Sequence, residues 1–178
     1  GRRIELASGR SVPFSSLVLA VGARNRKLPV EGATLDGVCY LRTAAEAIEI
    51  RERLEAAQDI VVIGGGFIGL ELAAAAAALG KSVHVIEALP RLMQRIVSPV
   101  LSEFYRNLHA SHGVRVLTGA SVSAIAGNGG RVTGVRLGDG SALPAGLVLV
   151  GSRVVPNWEL VHSAGPALPH AHHPDGRI

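Results

Sequence analysis

A glycine-rich segment, Gly64-Gly65-Gly66-Phe67-Ile68-Gly69, follows directly after the apolar β-branched run Asp59-Ile-Val-Val-Ile63. Such a run is typical of a buried parallel strand. At the first, third and sixth positions of the segment, the missing side chains allow a tight turn, the approach of a phosphate to the backbone, and close packing of the next helix. The sequence therefore predicts a strand followed by a turn that can bind a pyrophosphate.

The residues after this turn have the composition of a helix. Leu70 to Leu79 consists of Leu, Glu and Ala alone, which are strong helix formers, and Gly80 can close the C-terminus. The N-terminus of such a helix directs free N–H groups at a bound phosphate. Gly64, Gly66 and Gly69 are therefore candidate binding positions for steric reasons.

An acidic residue ends the strand expected next along the chain. The alternating run Ser82-Val-His-Val-Ile86 leads into Glu87. A carboxylate at this strand tip accepts hydrogen bonds from ribose hydroxyls and repels a 2′-phosphate, which favours NAD(H) over NADP(H). Arg91 and Arg95 follow closely and could reach a phosphate, so NADP(H) remains an alternative. Because the same fold also holds FAD, the spacing alone does not decide between NAD and FAD.

Further helix and strand signals lie on both sides of this unit. The capping-box pattern Thr43-Ala-Ala-Glu46 predicts a helix to Ala57, and Ser98-Pro99 predicts another that ends near His112. The order of elements predicts an α/β fold, a Rossmann-like parallel sheet with helices on both faces and an added β-meander. Strands are expected as a hairpin over 2–12, as a buried strand over 17–21, and over 38–41, 114–117, 121–125, 131–137 and 147–150.

Composition and charge argue against several classes of function. No apolar run is long enough to span a bilayer, and the single cysteine, Cys39, cannot form an internal disulfide or a dithiol redox pair. The net charge of +4 comes from dispersed arginines with few aromatic residues, which argues against nucleic-acid binding. No secretory signal opens the sequence, so the cytoplasm is the expected compartment. No metal site is expected at the histidines, which lack carboxylate or cysteine partners at ligand spacing: His109, His112, His170, His172 and His173.

Beyond these separate signals, several segments taken together have the character of one known family. They are Leu17-Val-Leu-Ala-Val-Gly-Ala23, Tyr40-Leu-Arg-Thr43, Val62-Ile-Gly-Gly-Gly-Phe-Ile-Gly-Leu-Glu71, Glu87-Ala-Leu-Pro-Arg-Leu-Met-Gln-Arg95, and Val150-Gly151 through Val155-Pro-Asn157. The sequence from about Leu17 to Gly165 resembles the FAD-dependent, NADH-dependent ferredoxin reductases of the pyridine nucleotide-disulfide oxidoreductase superfamily.

This resemblance implies that the Gly64 segment belongs to the second of two Rossmann units and binds NADH. It implies a fragment of a discontinuous FAD-binding domain at 1–30, an NAD(H)-binding domain at 31–146, and a return into the FAD-binding domain at 147–178. The stretch Asn25–Gly37 would connect the first two. Glu71 would lie near the nicotinamide, and Gly151 beside both nicotinamide and flavin. The other residues implied on the NADH side are Gly64, Gly66, Phe67, Ile68, Gly69, Glu87 and Arg95, and those on the FAD side are Ala20, Gly22 and Arg26.

By the same resemblance, the full-length protein would hold FAD and pass electrons from NADH to a ferredoxin-type iron–sulfur protein. The cofactors carry this chemistry, so no side chain is expected to act as a catalytic acid or base. The sequence has no counterpart of the family's N-terminal FAD fingerprint or of its later Gly-Asp motif, and Ser152-Arg153 replaces a small apolar residue and a glycine. The chain is therefore expected to be an inactive portion of a longer reductase. The alternative is a stand-alone NAD(H)-binding module, and no signal indicates an oligomeric state.

Overall fold

The computed structural model describes residues 2–151 and 154–159 of the 178-residue chain. Contacts between Cα atoms divide the chain into two units, with boundaries between Arg24 and Asn25 and between Val154 and Val155. These boundaries differ from those predicted at 30/31 and 146/147. Residues 25–30 group with the central unit, and so does the strand that follows residue 146. Several predictions fall outside the described residues, namely those on Ser152 and Arg153, on His170, His172 and His173, and on the segment beyond residue 159.

The central unit, from Asn25 to Val154, contains a parallel sheet, helices and an antiparallel meander. Its helices are α1 (Ala44–Ala56), α2 (Phe67–Ala78) and α3 (Pro99–Ser111). Its strands are β4 (Val38–Tyr40), β5 (Asp59–Ile63), β6 (Ser82–Glu87), β7 (Arg115–Thr118), β8 (Val122–Asn128), β9 (Arg131–Leu137), β10 (Ala142–Pro144) and β11 (Leu147–Val150). The predicted elements are confirmed here, and β10 is an additional strand.

The parallel sheet has the strand order β4-β11-β5-β6-β7. β11 lies between β4 and β5, where Leu149 is opposite Cys39 on one side and Val62 on the other. β5 pairs in parallel with β6, so that Ile63 is opposite Ile86. This order brings the carboxyl ends of β11, β5 and β6 side by side, although β11 is the last of the five strands along the chain.

Alternating residues of the sheet belong to two separate cores. On one face, Ile60 and Val62 of β5 are buried with Ile50 of α1 and Leu70 of α2. On the other face, Val61 is buried with residues of the β8-β9-β10 meander, among them Val135. The α/β class and the meander are thus confirmed, but the prediction of helices on both faces is wrong. A strand that is apolar on both sides must pack against other elements on both faces of the sheet. Here the meander packs on one face and the helices on the other.

The helix ends follow the predicted local signals. The Thr43 side chain accepts a hydrogen bond from the Glu46 N–H while the Glu46 carboxylate accepts one from the Thr43 N–H, which completes the capping box before α1. Ser98 caps α3 with Pro99 in its first turn, and Gly80 follows α2 with a φ of 72°. None of the helices in the described part of the chain has the length and apolar character needed to cross a membrane.

The other unit contains the strands β1 (Arg3–Glu5) and β2 (Ser11–Pro13), which form the predicted hairpin. The strands β3 (Ala23–Asn25) and β12 (Val154–Pro156) pair with each other. The prediction of a buried strand over 17–21 is wrong, because Val18 is 87% exposed and no strand is assigned there. An apolar run becomes a buried strand only where neighbouring strands pair with it on both sides. The end of this segment is held by Asn157, whose Nδ2 donates to the Val21 carbonyl and whose N–H donates to that of Gly22.

Candidate nucleotide-binding site

A cleft of about 550 Å³ lies at the carboxyl ends of β11, β5 and β6. Doubly wound α/β sheets bind their ligands at this edge. All the lining residues belong to the central unit. They are Arg26, Lys27, Leu28, Pro29, Gly64, Gly65, Gly66, Glu87, Ala88, Leu89, Met93, Gln94, Arg95, Ile96 and Gly151.

The floor of the cleft is a three-way backbone contact among Gly64, Gly69 and Gly151. Gly64 has a φ of 107°, which glycine adopts readily, and an added Cβ there would lie 2.8 Å from the Gly151 carbonyl oxygen. An added Cβ at Gly69 would overlap the carbonyl oxygen of Gly64. The steric roles predicted for Gly64 and Gly69 are therefore confirmed. Both positions need glycine because other backbone atoms lie too close.

Gly66 differs from these two glycines, because no protein atom would obstruct a side chain there. Its φ of −87° suits any residue, and an added Cβ would have no protein atom within 4 Å. Gly66 lines the cleft and is the N-cap of α2, where no side chain caps the first turn. The space beside Gly66 and the uncapped N–H groups are what a phosphate needs at a helix N-terminus. The residues present at this turn thus fit a pyrophosphate.

Glu87 holds the glycine turn in place. Its Oε2 accepts a hydrogen bond from the Gly65 N–H at 2.8 Å, and its Oε1 accepts one from the Leu89 N–H at 2.8 Å. Each carboxylate oxygen keeps a second lone pair that can accept a hydrogen bond from a ribose hydroxyl. The carboxylate lines the cleft at the end of β6, where a residue that accepts hydrogen bonds from the ribose hydroxyls is expected.

The two arginines that follow Glu87 have different environments. Arg91 donates from Nη1 and Nη2 to carbonyl oxygens of its own loop, at Val97 and Gln94. Its guanidinium is therefore held by the loop, and Arg91 is not among the residues that line the cleft. Arg95 is exposed and lines the cleft, and within the described residues its side chain has no hydrogen bond or ion pair. Arg95 is thus a cation available to a ligand.

Not all of the predicted site residues meet in this cleft. Gly64, Gly66, Glu87, Arg95, Gly151 and Arg26 line it. Phe67 and Glu71, one helical turn apart on α2, instead line an apolar groove of about 430 Å³ between α2 and α3. Ile68 is 40% exposed and lines neither space. Ala20 and Gly22 belong to the other unit.

Sequence reasoning missed two residues that shape the turn. An added Cβ at Gly65 would lie 2.5 Å from Cδ2 of Leu92, so a larger residue there would displace the Leu92 side chain. The Gly65 carbonyl accepts a hydrogen bond from the N–H of Met93, which has a φ of 48° and is 3% exposed. The run of three glycines was a signal for Gly65. A methionine in the left-handed region gives no sequence signal, because it is an uncommon conformation for this residue type.

His109 of α3 and His112, the C-cap residue of that helix, line the α2–α3 groove rather than the cleft. Burial lowers the pKa of His109, and the neighbouring His112 lowers it further. Within residues 2–151 and 154–159, no group of three or more potential metal ligands comes together.

The chain is similar in sequence and in structure to several named reductases. It is 44% identical over 164 residues to the rhodocoxin reductase of Rhodococcus erythropolis, an alignment that covers 92% of this chain and 38% of that protein. It is 39% identical to a rubredoxin-NAD(+) reductase of Pseudomonas putida, covering 92% and 43%. Among solved structures, a ferredoxin reductase from Rhodopseudomonas palustris superposes with a TM-score of 0.90 at 48% identity, covering 96% of this chain and 42% of that one.

The chain thus spans about two fifths of the length of these relatives. A family model described as pyridine nucleotide-disulphide oxidoreductase matches residues 2–173, nearly the whole sequence. The chain belongs to the pyridine nucleotide-disulphide oxidoreductase family.

Proposed function

We propose that this chain is the NAD(H)-binding portion of a flavin-dependent oxidoreductase that passes electrons from NADH through FAD to a ferredoxin-type iron–sulfur protein. The observation that carries the proposal is the cleft at the carboxyl edge of the sheet, where open space beside Gly66 faces the Glu87 carboxylate. Family membership and relatives named as reductases of rubredoxin and ferredoxin support the direction of electron flow.

NAD(H) is the coenzyme that fits the charges of the cleft. The pyrophosphate would take the uncapped N-terminus of α2, and the adenosine ribose would donate hydrogen bonds to the free lone pairs of Glu87. A 2′-phosphate in the same place would meet the Glu87 carboxylate. Arg95 at the rim can partner a phosphate or stack on the adenine, since both suit a guanidinium.

The remaining site residues have proposed positions in the full-length protein. Gly151 would lie beside the nicotinamide and the flavin. Glu71, Phe67 and Ile68 keep their predicted place on the nicotinamide side, although they do not line the cleft. Ala20, Gly22 and Arg26 would lie on the FAD side. When bound, the cofactors supply hydride transfer and single-electron transfer, and the chain's own residues bind and orient them. We also propose the cytoplasm as the compartment.

One observation favours the second candidate, a stand-alone NAD(H)-binding module. Every residue that lines the cleft lies between Arg26 and Gly151, inside the central unit. On this proposal the cleft would bind NAD(H) through residues of the central unit, and a chain that holds no flavin would still bind the coenzyme.

The test has two arms. In the first, calorimetric titration of the 178-residue chain with NADH and NADPH tests the cleft, and tighter binding of NADH without turnover is expected. In the second, the full-length protein is titrated with FAD and followed by visible absorbance and by NADH-dependent ferricyanide reduction. Flavin binding with turnover there supports the oxidoreductase portion, and NADH binding without either supports the module. A chain that binds neither coenzyme contradicts both candidates.

A further inference from the structure

The wall of the cleft beside Glu87 is a loop without regular secondary structure. This cleft loop, residues 88–98, connects β6 to α3 and presents Gln94, Arg95 and Ile96 to the cleft. Ile96 is 63% exposed, whereas Leu92 and Met93 are buried at 1% and 3%. The loop thus contains two buried apolar residues and a set of more exposed residues that line the cleft.

A single guanidinium ties the two halves of the cleft loop together. Arg91 donates from Nη1 to the Val97 carbonyl at 2.8 Å and from Nη2 to the Gln94 carbonyl at 2.9 Å. These acceptors are backbone groups six and three residues further along, so the side chain closes the loop around itself. No carboxylate within the described residues forms a salt bridge with Arg91, so its charge is compensated by the loop's own carbonyl dipoles.

The same guanidinium joins the loop to α3. Arg91 Nη1 also donates to Ser102 Oγ at 2.9 Å, and Ser102 Oγ donates in turn to the Leu92 carbonyl at 2.6 Å. Ser102 is 3% exposed, so this hydroxyl is held by its two partners away from water. A buried polar network in which each member has a partner is rigid.

The loop is also joined to the glycine turn. The Met93 N–H donates to the Gly65 carbonyl at 2.9 Å, while the Gly65 N–H donates to Glu87. The Met93 carbonyl accepts from the N–H groups of Ile96 and Val97. Displacement of the loop would therefore also disturb the turn that is expected to bind the pyrophosphate.

We propose that Arg91 is a positioning residue for the coenzyme, which holds the cleft loop in its binding shape before the coenzyme arrives. This inference rests on the proposed function, because it concerns the coenzyme of that cleft. A loop fixed in advance loses less conformational entropy on binding, and this gain appears as affinity. Because the cleft loop adjoins Glu87, the benefit falls on the adenosine half of the coenzyme. Lysine cannot replace this function, since one ammonium cannot match the planar fork that spans three acceptors.

The test compares Arg91→Lys and Arg91→Ala with Arg106→Ala. Arg106 lies on α3 near Arg91, is 51% exposed and, within the described residues, pairs with Glu103 alone, so its removal is a matched control. In coenzyme-free protein, hydrogen exchange at the Ile96 and Val97 amides should accelerate in both Arg91 variants. ADP-ribose and NADH affinity should fall about tenfold, which corresponds to about 1.4 kcal/mol, while affinity for nicotinamide mononucleotide stays unchanged. Arg106→Ala should change none of these values.

The outcomes separate this inference from the proposed function. Wild-type protein that binds neither NADH nor ADP-ribose overturns the proposed function and removes the coenzyme role of Arg91 with it. Wild-type protein that binds NADH, beside an Arg91→Lys variant with unchanged exchange and affinity, overturns this inference alone. Reduced affinity without faster exchange in the coenzyme-free protein shows that Arg91 contacts the phosphate directly, which also overturns it. Arg91→Lys keeps the charge and the aliphatic stem, so the test does not depend on Arg91→Ala remaining folded.

Discussion

The two ends of the parallel sheet form spaces of similar size and opposite character. The cleft at the carboxyl ends of β11, β5 and β6 measures about 550 Å³, and a second space at the amino ends of β4, β5 and β11 measures about 480 Å³. The second space is lined by charged side chains, among them Asp36, Arg53 and Arg131. Volume alone would not tell which of these spaces binds a ligand.

The hydrogen-bond partners distinguish the two ends. At the amino end, Asp36 accepts from Arg53 at 2.7 Å and from Arg131 at 3.1 Å, so the charges satisfy one another. At the carboxyl end, Glu87 accepts hydrogen bonds from two backbone N–H groups, and Arg95 has no side-chain partner within the described residues. A binding edge is therefore recognised by polar groups that can still form hydrogen bonds with a ligand. A stabilising edge is recognised by charges that are already paired.

The largest effect is expected for Glu87→Arg. The substitution removes the proposed ribose acceptor and also the two backbone hydrogen bonds that hold the glycine turn. Loss of a charged hydrogen bond costs about 1.5–3 kcal/mol, so NADH affinity should fall about ten- to a hundredfold. The gain for NADPH should be smaller, because the new guanidinium must find room beside Ala88 and Arg95 in a turn that has lost its support.

Calorimetry of wild type and variant with both coenzymes at one salt concentration gives the four affinities required. Glu52→Arg is the control, because it makes the same charge change at an exposed position of α1 away from the cleft. An NADH/NADPH ratio that is the same in wild type and Glu87→Arg would show that Glu87 does not select the coenzyme.

The central βαβ unit could be predicted from the sequence because its signals are local. The glycines, the helix formers of α2 and the terminal acid each act within a few residues, and the capping residues Thr43 and Ser98 do the same. The need for glycine at positions 64 and 69 could also be predicted from the sequence, because it follows from the geometry of the turn itself.

What could not be predicted depends on residues distant in sequence. The apolar run in β5 predicts that other elements pack on both faces of the sheet, but it does not show whether a helix or the meander packs on a given face. The apolar run 17–21 predicts a buried strand, but burial and strand pairing also depend on other segments of the chain, which the run itself does not reveal. Phe67 and Glu71 share one face of α2 by spacing, but the packing of α3 decides that this face borders a groove separate from the cleft. The role of Arg91 likewise depends on the path of the backbone around it.

An intermediate effect is expected for Gly66→Ala, and it should affect binding alone. The added methyl meets no protein atom within 4 Å but enters the space proposed for the pyrophosphate. NADH affinity should fall at least about tenfold, while the free energy of unfolding changes by less than about 1 kcal/mol. Gly80→Ala is the matched control. Its methyl also meets nothing within 4 Å, but a φ of 72° costs an alanine about 1 kcal/mol of stability without affecting NADH. Equal NADH affinity in Gly66→Ala and wild type would place the phosphates elsewhere.

The smallest effect is expected at the amino end, for Asp36→Asn. Asp36 is 44% exposed, and exposed ion pairs contribute little, so denaturant unfolding at neutral pH should show a small loss that added salt reduces further. The hydrogen bond from Arg53 holds the pKa of Asp36 below its ordinary value of 3.8. A carboxylate with a lowered pKa in the folded state stabilises the protein above its unfolded pKa, and this contribution disappears as the pH falls through the folded value. The difference between wild type and variant should therefore be constant above about pH 5 and shrink in acid. NADH affinity should equal that of wild type at every pH where both are folded. A loss of NADH affinity in Asp36→Asn would show that the two ends of the sheet are coupled, and the division between a binding edge and a stabilising edge would fail.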